Sequence, residues 1–144
     1  MTNESTTTYL QMIQGTIDRM STSSAIFKGF SATIVAGISA ISFADVNKWV
    51  LALSFMPVIC FLILDIYYLQ LERRFRFLYE QVRTERREVD FDLRPMKVNE
   101  ILMEDGHSNV RICSCILSLS ILCFYVPMIL ISVIVLIMNF KGCL

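Results

Sequence analysis

Two ionisable side chains stand where charge is costly. Lys28 is the one interruption of an otherwise uncharged stretch from Ser21 to Ala44, and Asp65 is the one interruption from Trp49 to Leu71. Ionisable residues inside apolar segments of spanning length usually face a bundle interior or water, and pair with one another. Lys28 lies about 15 residues from Phe43, and Asp65 about 17 from Lys48, so at 1.5 Å per residue their depths agree within about 3 Å. In an antiparallel helix hairpin the ammonium and carboxylate then meet near one membrane boundary, holding the hairpin or lining an inner vestibule. The competing reading has Lys28 snorkelling to the headgroups alone and Asp65 merely hydrated.

Other chemistry is sparse. The chain has one histidine, His107, beside Gly106, and no HExxH, CxxC, Walker or GxSxG motif. Its five cysteines (60, 113, 115, 123 and 143) lie mostly inside apolar stretches, where cysteine behaves as a small apolar residue. Neither a disulfide framework nor a metal site is indicated, no cofactor is expected, and an enzyme is the weakest reading. Hydroxyls are more informative. Ser114 and Ser118 share a face if residues 112–140 form one helix, and with Ser39 they are candidate pore-lining groups, although serine in lipid more often lets helices approach. Arg73, Arg76, Arg83 and Arg87 fall near one side of a helical stretch with Phe75, Phe77 and Tyr79 interleaved, an arrangement that suits phosphates and bases. Glu72, Glu80, Glu85 and Glu88 neutralise much of that field, and a salt-bridged solvated face is the plainer reading.

The elements that must position these groups are membrane spans. Of 144 residues, 55% are hydrophobic and 18% charged, with 13 Lys+Arg against 13 Asp+Glu, whereas a soluble domain carries about a quarter charged residues. That balance excludes a nucleic-acid-binding domain held by bulk charge, and a disordered tail. Ile112–Phe140 contains 29 residues without a charge, roughly 44 Å of helix against a bilayer core of about 30 Å. The expectation is one tilted span with a kink near Tyr125–Pro127. Nine of the 13 basic residues lie between Arg73 and Arg111, so the positive-inside rule places that segment and the N-terminus in the cytoplasm.

Before the first span, Tyr9, Ile13, Ile17 and Met20 recur at helical spacing. They form an amphipathic helix that lies on the leaflet or packs on a neighbour. Residues 21–44 lack a preceding cationic region and read as a retained segment, not a cleaved signal. Leu71–Arg87 has neither Gly nor Pro, and Phe75, Leu78, Tyr79 and Val82 repeat at three and four. The second span therefore continues as a cytoplasmic helix to about Arg87. Asp90–Pro95 reads as an extended connector, and Asn99–Asp105 as a short helix closed by Gly106. The fold class is an all-α membrane protein: three transmembrane helices, an amphipathic N-terminal helix, and an oligomeric assembly, since three spans cannot enclose a conduit. The divisions are an N-terminal helix at 1–22, a transmembrane hairpin at 23–71, a cytoplasmic helix and connector at 72–109, and a third span with a short tail at 110–144.

Two stretches carry a resemblance. Met12-Ile-Gln-x3-Asp-Arg-Met-x4-Ala-Ile-Phe-Lys28-Gly-Phe-x-Ala-Thr33 and Ile63-Leu-Asp65-x-Tyr67-Tyr68-Leu-x2-Glu72-Arg73-x-Phe75-Arg76-x-Leu78-Tyr79-x2-Val82-Arg83 resemble a family of small bacterial membrane proteins of antiphage defence loci. Phe30 stands where the family pattern more often has Trp. The match covers roughly residues 10–95, and residues 96–144 carry no family motif. The family is similar to the membrane channel effector of the Hailong system, which is governed by single-stranded DNA oligomers from a partner nucleotidyltransferase. The resemblance implies a homo-oligomeric ion channel in the bacterial inner membrane, with a nucleotide or single-stranded DNA ligand. Lys28, Asp65, Arg73, Arg76 and Arg83 are then the residues to test. The alternative is a non-conducting anchor or scaffold that recruits a soluble partner through residues 72–109.

Overall fold

The computed structural model describes residues 3–42, 55–105 and 110–140, and among these every regular element is an α-helix. They are α1 (Asn3–Ser42), α2 (Phe55–Arg83), α3 (Val98–Asp105), α4 (Ile112–Ile116) and α5 (Leu119–Phe140). Three of these, over Glu4–Ala40, Phe55–Arg83 and Leu119–Met138, are long and apolar enough to cross a membrane. The chain fits a multi-pass membrane protein. The expected outer loop at Asp45–Lys48, the start of the second span at Trp49, and the Gly106–His107 turn lie outside the described residues.

The amphipathic segment and the first span are one helix. α1 contains no proline over its 40 residues, and Glu4 stands in its first turn, where a carboxylate complements the helix dipole. α2 tolerates Pro57 because first-turn amides need no intrahelical acceptor. It ends at Arg83, a turn earlier than the charge pattern suggests, and the reason is local. Arg86 N–H donates to Gln81 O at 3.0 Å and Glu85 N–H to Val82 O at 3.2 Å. This is a Schellman closure, with Glu85 in the left-handed region at φ 58° where glycine is usual.

α3 begins after Pro95 with half of a capping box. The Lys97 amide donates to Glu100 Oε2 at 3.2 Å, and the Lys97 carbonyl accepts from Glu100 and Ile101.

The uncharged run at 112–140 is not one helix. It breaks at Leu117–Ser118, and the Ser118 carbonyl accepts from the Ile121 and Leu122 amides to open α5. α5 then runs on through Pro127. The excess length of the run is taken up by the break and the five-residue α4, which corrects the expectation of a single overlong span.

The chain divides into two compact units: Met1–Ser24 with Tyr67–Cys115, and Ala25–Ile66 with Ile116–Leu144, over their described residues. The first has an apolar interior. Tyr9, Ile13 and Ile17 of α1 are buried against Phe75, Leu78 and Val82 of α2, flanked by Leu71, Tyr79, Val89 and Leu93. The two stripes read from helical spacing thus cover each other, so the N-terminal helix packs on a neighbouring helix. The second unit buries Val58, Ile121 and Met128, while Ile26, Met56, Ile63, Leu119, Leu130 and Ile134 stand exposed.

Candidate functional site

In the second unit the polar groups converge. Lys28 Nζ lies 2.7 Å from Asp65 Oδ2, with side chains 17% and 0% exposed. The pair is set by helix register. Lys28 and Ser31 stand three apart on α1, and Phe61 and Asp65 four apart on α2, so each helix offers two neighbouring side chains on one face. The rings make a second contact between the same helices, with Phe61 stacked against Phe27 at 6.2 Å and Phe30 at 6.1 Å. Phe30 therefore has a packing role next to the ion pair.

A third helix completes the group. Tyr125 of α5 is 2% exposed and Ser31 is fully buried, and the Tyr125 hydroxyl lies beside the Ser31 and Asp65 side chains. Neither the Ser31 Oγ nor the Tyr125 Oη completes a hydrogen bond of regular geometry. Buried hydroxyls generally find a partner, and the polar groups beside these two are each other and the Asp65 carboxylate. Neither was among the sequence candidates. Tyr125 is the single tyrosine of α5, and the need of a buried phenol for a polar neighbour was the available signal. Ser31 is legible from sequence only as one of several hydroxyls on the first apolar stretch, one turn after Lys28.

The arginine candidates belong to the first unit and are engaged. Arg76 Nε donates to Glu72 Oε1 at 2.8 Å, Arg83 forms a two-point contact with Glu80, and Arg87 Nη2 donates to Asp90 Oδ2 at 3.2 Å. The half-buried Arg73 reaches Ser114 Oγ at 3.4 Å. Arg76 and Arg83 keep side-chain exposures of 63% and 59%, so their guanidinium groups are open to water while neutralised in place. The Asp90 carboxyl is held below the ordinary carboxylate range, first by the Asp92 amide and then by Arg87.

The same segment shows what sequence reasoning missed. Arg74, outside every candidate list, donates to Met96 O at 2.8 Å and Pro95 O at 3.2 Å. The Tyr9 hydroxyl donates to Asp92 O at 2.6 Å and contacts Asp90 Oδ1 at 3.2 Å, with Phe91 tilted against its ring at 5.5 Å. Phe91 adopts φ 54°, a left-handed conformation that a bulky side chain rarely takes. The connector is thus fastened at two points.

The serine candidates do not form one row. Ser114 lies in α4 and meets Arg73, whereas Ser118 sits in the break and opens α5, so the four-residue relation between them is interrupted. Ser39 is half-exposed on α1. Among the described residues, no three His, Cys, Asp or Glu side chains gather as a metal site would require.

Compared with protein-family models, with curated proteins and with solved structures, the chain matches none. The resemblance of its two motifs therefore stands on those residues alone.

Proposed function

We propose that this chain is the subunit of a homo-oligomeric ion channel in the bacterial inner membrane, acting as an effector of antiphage defence. A nucleotide or single-stranded DNA ligand, made by a partner nucleotidyltransferase, gates it. Opening depolarises the membrane and arrests the infected cell. The observation that carries the reading is the buried Lys28–Asp65 pair, joined by Ser31 and Tyr125. A span that served only as an anchor has no use for charge in its interior, because replacing a buried ion pair by apolar residues is often neutral or stabilising. The motif resemblance supplies the defence context, and the three spanning helices supply the membrane.

In this mechanism the ligand binds the cytoplasmic residues 72–109 and biases α2, a single uninterrupted helix from Phe55 to Arg83. The ligand shifts the equilibrium only by its differential affinity for closed and open states. Copies of the chain gather so that several sets of three spans enclose the conduit.

One observation favours a second reading. Arg76, Arg83 and Arg87 each already hold a carboxylate, and a neutralised helix face suits docking of a soluble protein better than capture of a phosphate. A non-conducting scaffold is that alternative.

Current decides between them. Purified protein in planar bilayers is expected to conduct, with opening altered by short single-stranded DNA. A stable reconstituted oligomer that never conducts, with or without oligonucleotide, refutes the channel and leaves the scaffold. Arg76→Ala with Arg83→Ala is expected to weaken oligonucleotide binding, and undiminished binding removes these residues from the ligand site.

A further inference from the structure

Among the described residues of the second unit, Asp65 is the single carboxylate and Lys28 the single cation. Around that carboxylate stand two hydroxyl oxygens from two other helices, Ser31 of α1 and Tyr125 of α5, both more than nine-tenths buried and neither in a regular hydrogen bond. Hard cations take oxygen ligands, and with one anionic and two neutral oxygens the group balances a single positive charge. An ammonium has the charge and compact shape of such an ion.

We propose that Ser31, Asp65 and Tyr125 form a site for a small monovalent cation, an alkali ion or a primary ammonium, whose charge the Lys28 ammonium supplies through its contact with Asp65. Lys28 is suited to leave. It is the partly exposed member of the pair, and its long stem lets the ammonium reach towards water while the backbone stays in place. When it withdraws, the buried carboxylate is left without its counter-charge, which is costly, and a diffusible cation takes the place of the tethered one. The exchange transfers no electrons and forms no covalent bond. The site's existence does not depend on conduction. The added consequence, that the open channel passes monovalent cations in preference to anions, does rest on the channel reading above.

The test removes the tether from the full chain in detergent. Lys28→Ala is melted in sodium, potassium or methylammonium chloride, and separately in N-methylglucamine chloride, whose cation is too large for the site, at equal ionic strength. The small cations are expected to raise the melting temperature of Lys28→Ala by about 3 °C or more over N-methylglucamine, a shift of the order of binding linkage. Wild type, with its own ammonium in place, is expected to show no such preference. Lys28→Ala with Asp65→Asn is expected to lose it, and Tyr125→Phe in the Lys28→Ala background to reduce it. A Lys28→Ala protein that melts alike in all four salts overturns the proposal. If Lys28→Ala does not fold in N-methylglucamine but folds in a small cation, the proposal is supported; if it folds in none, Lys28→Gln takes its place under the same criteria. Cation-dependent melting without current would refute the channel and leave the site standing. Current that reverses at the chloride potential, together with cation-independent melting, would do the opposite.

Discussion

The two units of this chain place opposite chemistry inside. In the first, Tyr9, Ile13, Ile17, Phe75, Leu78 and Val82 fill the interior while Arg76, Glu80 and Arg83 face outward. In the second, Ser31, Asp65 and Tyr125 lie inside among a few apolar neighbours, while Ile26, Ile59, Ile63, Leu130 and Ile134 face outward. One rule produces both arrangements. Side chains that the solvent rejects go inside, and the two arrangements fit water around the first unit and hydrocarbon around the second. The contrast also separates what holds each unit together. Area removed from water stabilises the first, whereas lipid offers no such drive between helices, and the second depends on packing and polar contacts.

The largest effect is expected where that contrast is sharpest. In N-methylglucamine salt, Lys28→Met strands a buried carboxylate and is expected to cost about 3–5 kcal/mol, whereas Lys28→Met with Asp65→Leu together is expected to return to within about 1 kcal/mol of wild type. Equilibrium unfolding in mixed micelles reads both. A double variant as unstable as the single one would show that the second unit is not held in the manner described. Next comes the apolar interior: Leu78→Ala is expected to cost about 2–5 kcal/mol through the lost methyl groups and the cavity left behind. Heat-capacity or denaturant measurements that find Leu78→Ala neutral would remove the first unit's claim to a water-driven core.

Smaller effects sharpen the outer edge of the first unit. Tyr9→Phe keeps the ring and deletes the hydroxyl bonded to Asp92 O, with an expected loss of about 1 kcal/mol. Faster hydrogen exchange across residues 88–97 should accompany it, and unchanged exchange would show the tie to be idle. The smallest effect is expected at Asp90. Its carboxyl is held below the ordinary carboxylate value of 3.8, so its contribution is fully present above that pH and is lost as acid carries it through its lower folded value. Asp90→Asn should therefore remove that small contribution at neutral pH and flatten the acid limb of the stability profile; an acid limb as steep as that of wild type would contradict the assignment.

Much of this was legible because it depends on spacing along one helix. The Tyr9–Ile13–Ile17 stripe and its partner Phe75–Leu78–Val82 are periodicities, and the common depth of Lys28 and Asp65 is arithmetic on helical rise. Features that depend on a third element were not legible. Tyr125 reaches Asp65 only because α5 packs there, and nothing in the order of residues sets that rotation. The break at Leu117–Ser118 was hidden for a different reason, since Leu and Ser are both acceptable inside a helix and the residues around them are uniformly apolar. The end of α2 was misplaced by a turn because Glu85 occupies a left-handed position that composition assigns to glycine. Arg74 was passed over because its partners are backbone carbonyls, which leave no mark in a charge pattern.

The bond from Tyr9 to Asp92 joins residues 83 positions apart, and this sets an order on the birth of the protein. The oily side of the N-terminal helix has its counterpart on residues 75–82, which leave the ribosome only after the apolar stretches at 21–44 and 49–71. Throughout that interval the nascent N-terminus carries an uncovered sticky face.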